Sequence, residues 1–190
     1  HQAYTTLHQQ LVCILLNTCS LYKHATELWD LITTLEPDVV FLTETWLNPS
    51  SVPDIVTATP DGYKITHRDR TERPGGEIAI IHRETIRCTS TTDNATPAME
   101  HLNFKPQTDG KTTIKVTLAY RPPGPCPNFC NIITDFIDPL AIDSEDYIFL
   151  GDLNFHLNDF TDTNTANLLD NMKNIRLTQL VNGPNHTTGH

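Results

Sequence analysis

Two acidic residues stand at the ends of apolar runs: Glu44 in VVFLTETWL and Asp152 in YIFLGDLNFH. Asn17 in LLNTCSL and Tyr120 in LAYRPPG are placed the same way, and Asn154 follows Asp152 by two residues. A glutamate is a hard oxygen ligand for magnesium. A second carboxylate can orient or deprotonate a water molecule. The carboxamides of Asn17 and Asn154 and the phenol of Tyr120 can donate hydrogen bonds to a phosphate whose charge grows in the transition state. Arg121, next to Tyr120, is a further candidate phosphate contact. Together these types suit hydrolysis of a phosphodiester. Read singly they have plainer meanings: Asn17 and Asp152 as turn formers, Tyr120 as an edge aromatic.

The residues make a site only if the elements carrying them converge. Side chains at the carboxyl ends of neighbouring strands meet in one crevice. The pattern predicts a buried strand over 11–16 and a helix over 25–35, with apolar residues at 25, 28, 29, 31, 32 and 35. A strand follows at 39–43. Residues 48–62, with Pro49, Pro53, Pro60 and Gly62, read as a loop. Strands at 63–67 and 77–82 flank an Arg-rich turn closed by Pro74, Gly75 and Gly76. Residues 89–97 read as irregular, and Leu102 and Phe104 as part of a weak strand. A cleanly alternating strand at 112–120 precedes a Pro-rich turn and a helix from 129 to 140, with Asn128 as its cap. A strand at 147–150, a helix near 165–175, a short strand or turn at 177–181 and a polar tail complete the chain. Such alternation is that of one α/β or α+β domain over residues 1–190, with no obvious linker.

Bulk properties narrow the class. Of 190 residues, 38% are hydrophobic and 19% charged, a globular composition. No apolar run approaches the ~18–20 residues of a membrane helix. The polar N-terminus lacks the pattern of a secretory signal peptide. Five scattered cysteines argue against a disulfide framework, and Cys126 and Cys130, with no second pair nearby, read as ordinary reduced thiols. An intracellular compartment fits. With 13 basic and 23 acidic residues the net charge is −10, which counts against a broad basic surface for nucleic acid. It leaves room for a cation-dependent nuclease, because a bound divalent ion reverses the local potential.

The blocks NTCSLYKH, PDVVFLTETWL, PGGEIAII, YRPPG, GDLNFH and NHTTGH occur in that order. Together they resemble the apurinic-type endonuclease domain of non-LTR (LINE-type) retrotransposons, within the endonuclease/exonuclease/phosphatase superfamily. The resemblance runs from about Leu11 to His190. It implies a four-layered sandwich of two mixed β-sheets flanked by helices. It implies Mg2+ or Mn2+ held by Glu44 with help from Asn17, and Tyr120 against the attacked phosphate. It implies that Asp152 aligns the water and that Asn154 joins it in binding phosphate. It further implies a DNA-nicking activity that leaves a 3′-hydroxyl, a nuclear setting, and a reverse transcriptase domain as partner.

There are departures. Asn185 replaces a threonine of the family pattern, and Glu77 stands where the family often has glycine, read here as a solvent-facing substitution. His186, in the last block, is the histidine placed for a phosphate or hydrogen-bonding role; His156 reads as a rim residue. The family continues into a Leu-Asp strand and a Ser-Asp-His segment. These lie past His190, so the chain is expected to lack the final strands and the acid–base pair, with exposed sheet edges, poor solubility alone and little activity. Two alternatives stand beside the nuclease: a catalytically silent relic with weak nucleic-acid binding, and a phosphatase acting on a phosphoinositide or small phosphate ester.

Overall fold

The computed structural model describes residues 11–48, 50–67, 77–91, 98–107, 114–124, 126, 128–142, 146–154 and 163–181. The chain runs β1 (Cys13–Asn17), α1 (Leu21–Leu35), β2 (Val39–Thr43), α2 (Val52–Ala58), β3 (Tyr63–His67) and β4 (Ile78–Arg83). It continues through β5 (Cys88–Thr91), β6 (Glu100–Pro106), β7 (Ile114–Tyr120), α3 (Phe129–Ile142), β8 (Asp146–Asp152) and α4 (Thr163–Asn174). Two four-stranded sheets form, in the orders β1-β2-β4-β3 and β5-β6-β7-β8. Both are mixed: β1 runs parallel to β2 and β7 to β8, and the other pairs are antiparallel.

Side-chain alternation explains the layers. In β2 and β4, Val39, Phe41, Ile78 and Ile80 point between the sheets and meet Leu102, Phe104, Val116 and Leu118 of the second sheet. Phe41 and Phe104 pack edge-to-face there, with ring centroids 6.0 Å apart. Val40, Leu42, Ala79 and Ile81 point the other way, onto Leu21, Ala25, Leu28 and Ile32 of α1. This double burial is why β2 reads as an unbroken apolar run. On the far side of the second sheet, Tyr147 and Phe149 pack with Phe129, Ile133 and Ile137 of α3 and Leu168 of α4. The order helices–sheet–sheet–helices is the four-layered sandwich expected.

Several local expectations need correction. Among the described residues the first strand is not buried: it lies at the end of its sheet, with Leu15 42% exposed. Its apolar run gave no sign of that, because edge position is decided by strand order. Helix α1 starts at Leu21 rather than at residue 25. Its first amides find acceptors outside the helix: Ser20 N–H bonds to Glu44 O at 2.9 Å and Leu21 N–H to Thr45 O at 2.8 Å. Within 48–62 a short helix, α2, forms, because Pro53 sits in its first turn, where a missing N–H costs nothing. Residues 88–91, expected mostly irregular, pair with β6. Strand β6 itself is almost wholly buried. Its polar outer face hid it: Asn103 accepts a hydrogen bond from Thr117 at 2.6 Å, and His101 stacks on Phe136 at 4.6 Å. Residues 177–181 form no strand.

At the β7–β8 junction Gly151 has φ +142, and a Cβ there would lie 1.8 Å from the carbonyl oxygen of Ala119. Only glycine fits. Gly151→Ala is expected to lower stability by more than ~3 kcal/mol in urea melts; a wild-type midpoint would refute this packing. Burial raises the Tyr147 phenol from 10.0 to about 12. In the folded state it therefore keeps its proton where the unfolded chain loses it, so stability is expected to fall as pH rises from about 10 to 12. Tyr147→Phe should flatten that part of the pH–stability curve.

Candidate active site

The two parallel strand pairs end on the same side of the sandwich. Asn17 is the last residue of β1 and lies opposite Thr43, so Glu44 is the next residue beyond β2. Tyr120 and Asp152 close β7 and β8 and are paired in register. Across the gap between the sheets, Asn17 Nδ2 donates to Glu44 Oε1 at 2.9 Å and to Asp152 Oδ2 at 3.0 Å. Its other amide atom, Oδ1, accepts the N–H of Cys19 at 3.1 Å. One carboxamide thus joins two carboxylates that are far apart in sequence, and its orientation follows from their being acceptors only.

Tyr120 is buried against this pair. Burial, then the charges of Glu44, Asp152 and Glu100, and a hydrogen bond to Glu44, push its phenol far above the ordinary range. It remains a donor at any physiological pH. The Cys19 thiol, 3.7 Å from Glu44 Oε2, is raised by partial burial and then by the same glutamate. Both causes disfavour its thiolate form.

The backbone here is unusual. Among the described residues, Cys19, Ser20, Glu44, Trp46, Glu77 and Asn154 all have positive φ, and only two other non-glycine residues do. Such conformations persist where surrounding contacts over-determine them, and they cluster at functional sites. At Asn154, with φ +46, the contacts are explicit. Its N–H donates to Asp152 Oδ1 at 2.9 Å, and its side chain donates to Arg121 O at 2.8 Å. That turn orients the Asp152 carboxylate from one side while Asn17 holds it from the other.

Arg121 is not placed as the phosphate contact expected. It is 6% exposed. Its three guanidinium nitrogens donate to the carbonyls of Leu153, Gly124 and Asn154, and the group stacks on Phe129 at 4.8 Å. The planar fork serves as a clamp on the loop carrying Asp152 and Asn154. The signal missed was local: a Pro-rich turn and a G-D-L-N turn side by side each present carbonyls that need a donor.

Glu77 does not face solvent either. It is 3% exposed and has φ +64, a conformation in which glycine is unstrained. Its N–H donates to Glu100 Oε2 at 2.9 Å, and its carbonyl accepts Thr45 N–H at 3.2 Å. Glu100, opposite Tyr120 on β6, thereby ties the second sheet to the segment carrying Glu44. No sequence signal marked Glu100, since only the strand register places it here.

Glu44 and Asp152 are hard oxygen donors, and two carboxylates with water suit a hard divalent cation; the Asn17 oxygen is already bonded to Cys19 N–H, and its amide nitrogen faces the pair. Among the described residues no three His, Cys, Asp or Glu side chains form a metal-holding group. All five cysteines are free; Cys126, before α3, and Cys130, in its first turn, are half-buried against the cluster of α3 and α4. Also among those residues, no helix is long and apolar enough to cross a membrane. His156, Asn185 and His186 lie outside the described residues.

Arg121→Lys keeps the charge but loses the fork. It is expected to cost about 2–4 kcal/mol in urea melts, through buried carbonyls left without donors. A direct phosphate role would instead leave the melt unchanged and lower the salt dependence of DNA binding.

The Asn17–Glu44–Asp152 arrangement sits in a chain with known relatives. A search of curated proteins finds no significant match. Solved structures with the same fold include the endonuclease domain of TRAS1, a telomere-specific non-LTR retrotransposon. It is 14% identical with a TM-score of 0.63, over 92% of this chain and 74% of that one. AP endonuclease LMAP from Leishmania major is 15% identical with a TM-score of 0.63, over 86% and 66%. Humanized D. rerio TDP2 is 18% identical with a TM-score of 0.58, over 90% and 72%. The model of the endonuclease/exonuclease/phosphatase family matches residues 14–189, and the chain belongs to that family.

Proposed function

We propose that this chain is a Mg2+- or Mn2+-dependent DNA-nicking domain of the non-LTR retrotransposon kind. The observation that carries the reading is the single amide of Asn17 bonded to both Glu44 and Asp152, one carboxylate from each sheet. Family membership and the likeness to the TRAS1 endonuclease domain support it. DNA is the substrate, a reverse transcriptase domain is the partner, and the nucleus is the site of action.

Each residue has a role. Glu44 would hold the cation with help from Asn17, whose amide nitrogen faces both carboxylates and whose oxygen is bonded to Cys19 N–H. When bound, that ion supplies positive charge against the phosphate and acidifies coordinated water. Asp152, fixed on both oxygens by Asn17 and Asn154, aligns a water opposite the leaving oxygen. Water oxygen bonds to phosphorus as the P–O3′ bond breaks; the water gives a proton to Asp152 and the leaving O3′ takes one from solvent, which leaves a 3′-hydroxyl and a 5′-phosphate. Tyr120, beside Glu44, would donate to a non-bridging oxygen, and Asn154, one amide hydrogen of which is bonded to Arg121 O, would offer the other to the same phosphate. His186 is a further phosphate contact.

The test is nicking of supercoiled plasmid by the full-length protein with Mg2+. Glu44→Ala and Asp152→Asn should each lower the rate by roughly 100-fold or more, and EDTA should abolish it. If Glu44→Ala nicks at the wild-type rate, the cation assignment is wrong. If a small phosphate ester competes better than DNA, the substrate is a different one.

A further inference from the structure

Trp46 lies two residues past Glu44 and has φ +54. That conformation is uncommon for any side chain and an outlier for a bulky one. The residue is 43% exposed, whereas the next residue, Leu47, is 1% exposed. The chain thus buries a leucine and turns a tryptophan outward, at the expense of apolar burial that an indole ordinarily supplies. Over the ring, 5.7 Å from its centroid, stands the ammonium of Lys23. Lys23 belongs to the first turn of α1. That turn is fastened to the Glu44 segment by the bonds from Ser20 N–H to Glu44 O and Leu21 N–H to Thr45 O. Indole, ammonium and catalytic carboxylate therefore belong to one backbone unit.

The pairing has a chemical direction. In a chain of net charge −10, a cation held against an exposed aromatic ring beside two carboxylates is suited to a ligand with both a flat face and a negative charge. A nucleotide has both. Aromatic side chains stack on bases whatever their identity, and an adjacent ammonium meets the phosphate. We propose that Trp46 and Lys23 form a nucleotide-binding rim: Trp46 stacks on a base flanking the scissile phosphate, and Lys23 contacts the neighbouring phosphate. The proposal rests on the nuclease reading for its substrate.

Trp46 and Trp29 are the two tryptophans of the chain, so Trp29→Phe leaves Trp46 as sole reporter. In EDTA, which prevents cleavage, titration with an oligonucleotide carrying a single-stranded gap should quench its emission. In nicking assays Trp46→Ala should raise KM about 10-fold with kcat within about 3-fold, and Trp46→Phe should recover most of the loss. Trp46→Gly suits the local φ, so it should keep the fold and still lose the stack. Lys23→Ala should lower the salt slope of binding by about one. Emission unaffected by saturating DNA, or a Trp46→Gly protein with unchanged KM, would overturn the rim. Quenching by DNA without any nicking would leave the rim standing and remove the nuclease reading.

Discussion

A single side-chain amide spans the two sheets: Asn17 Nδ2 binds Glu44 and Asp152 at 2.9 and 3.0 Å. Most features of this end of the molecule serve that junction. Like charges drawn together repel unless a donor or cation lies between them, and here the donor is held in turn by Cys19 N–H on its other atom. The apolar layer of Phe41, Ile80, Phe104 and Leu118 fixes the spacing of the sheets. The parallel pairings β1–β2 and β7–β8 bring the strand ends into line. A slip of one residue in either register would turn Asn17 or Asp152 to the opposite face of its sheet.

The backbone strain has the same origin. Strands bring the chain to the crevice, but a carboxylate must then turn into it within one or two residues. Left-handed conformations at Glu44 and Asn154 make those turns, and buried donors and acceptors hold them. Arg121 supplies three donors to the Asp152 loop, and Glu100 accepts from Glu77, whose carbonyl receives Thr45 N–H beside Glu44. Each supporting residue lies on the sheet or loop facing the one it stabilises. The rigidity of the crevice is therefore a property of the packed sandwich and not of any one loop.

That division also separates what the sequence disclosed from what it hid. An apolar run ending in a polar residue is a local pattern, so Asn17, Glu44, Tyr120 and Asp152 could be singled out, and the strands carrying them lie close to their predicted positions. The two-sheet architecture followed from motif order. Glu100 and the clamp role of Arg121 depend on which strand neighbours which, and hydrophobic periodicity carries no such information. Strand β6 was undervalued for a related reason: its outward face is polar but covered, Asn103 by a bond from Thr117 and His101 by Phe136 of α3. The edge position of β1 and the proline-started helix α2 are likewise settled by packing partners.

The charge distribution connects the site to its proposed substrate. A chain with 23 acidic and 13 basic residues repels a polyanion at long range, and Glu44 and Asp152 add to that repulsion at the crevice itself. A divalent cation reverses the sign locally without changing the rest of the surface. The same two carboxylates, after burial, are what raise the Tyr120 phenol. Their negative field would thus attract the cation, and without the cation it reinforces the protonation of the adjacent phenol. A basic crevice would do neither: it would bind phosphate directly, exclude the cation and lower the phenol toward ionisation. Acidity at this end is therefore a requirement of the proposed chemistry, and the few local positive groups, such as Lys23 over Trp46, stand at its rim.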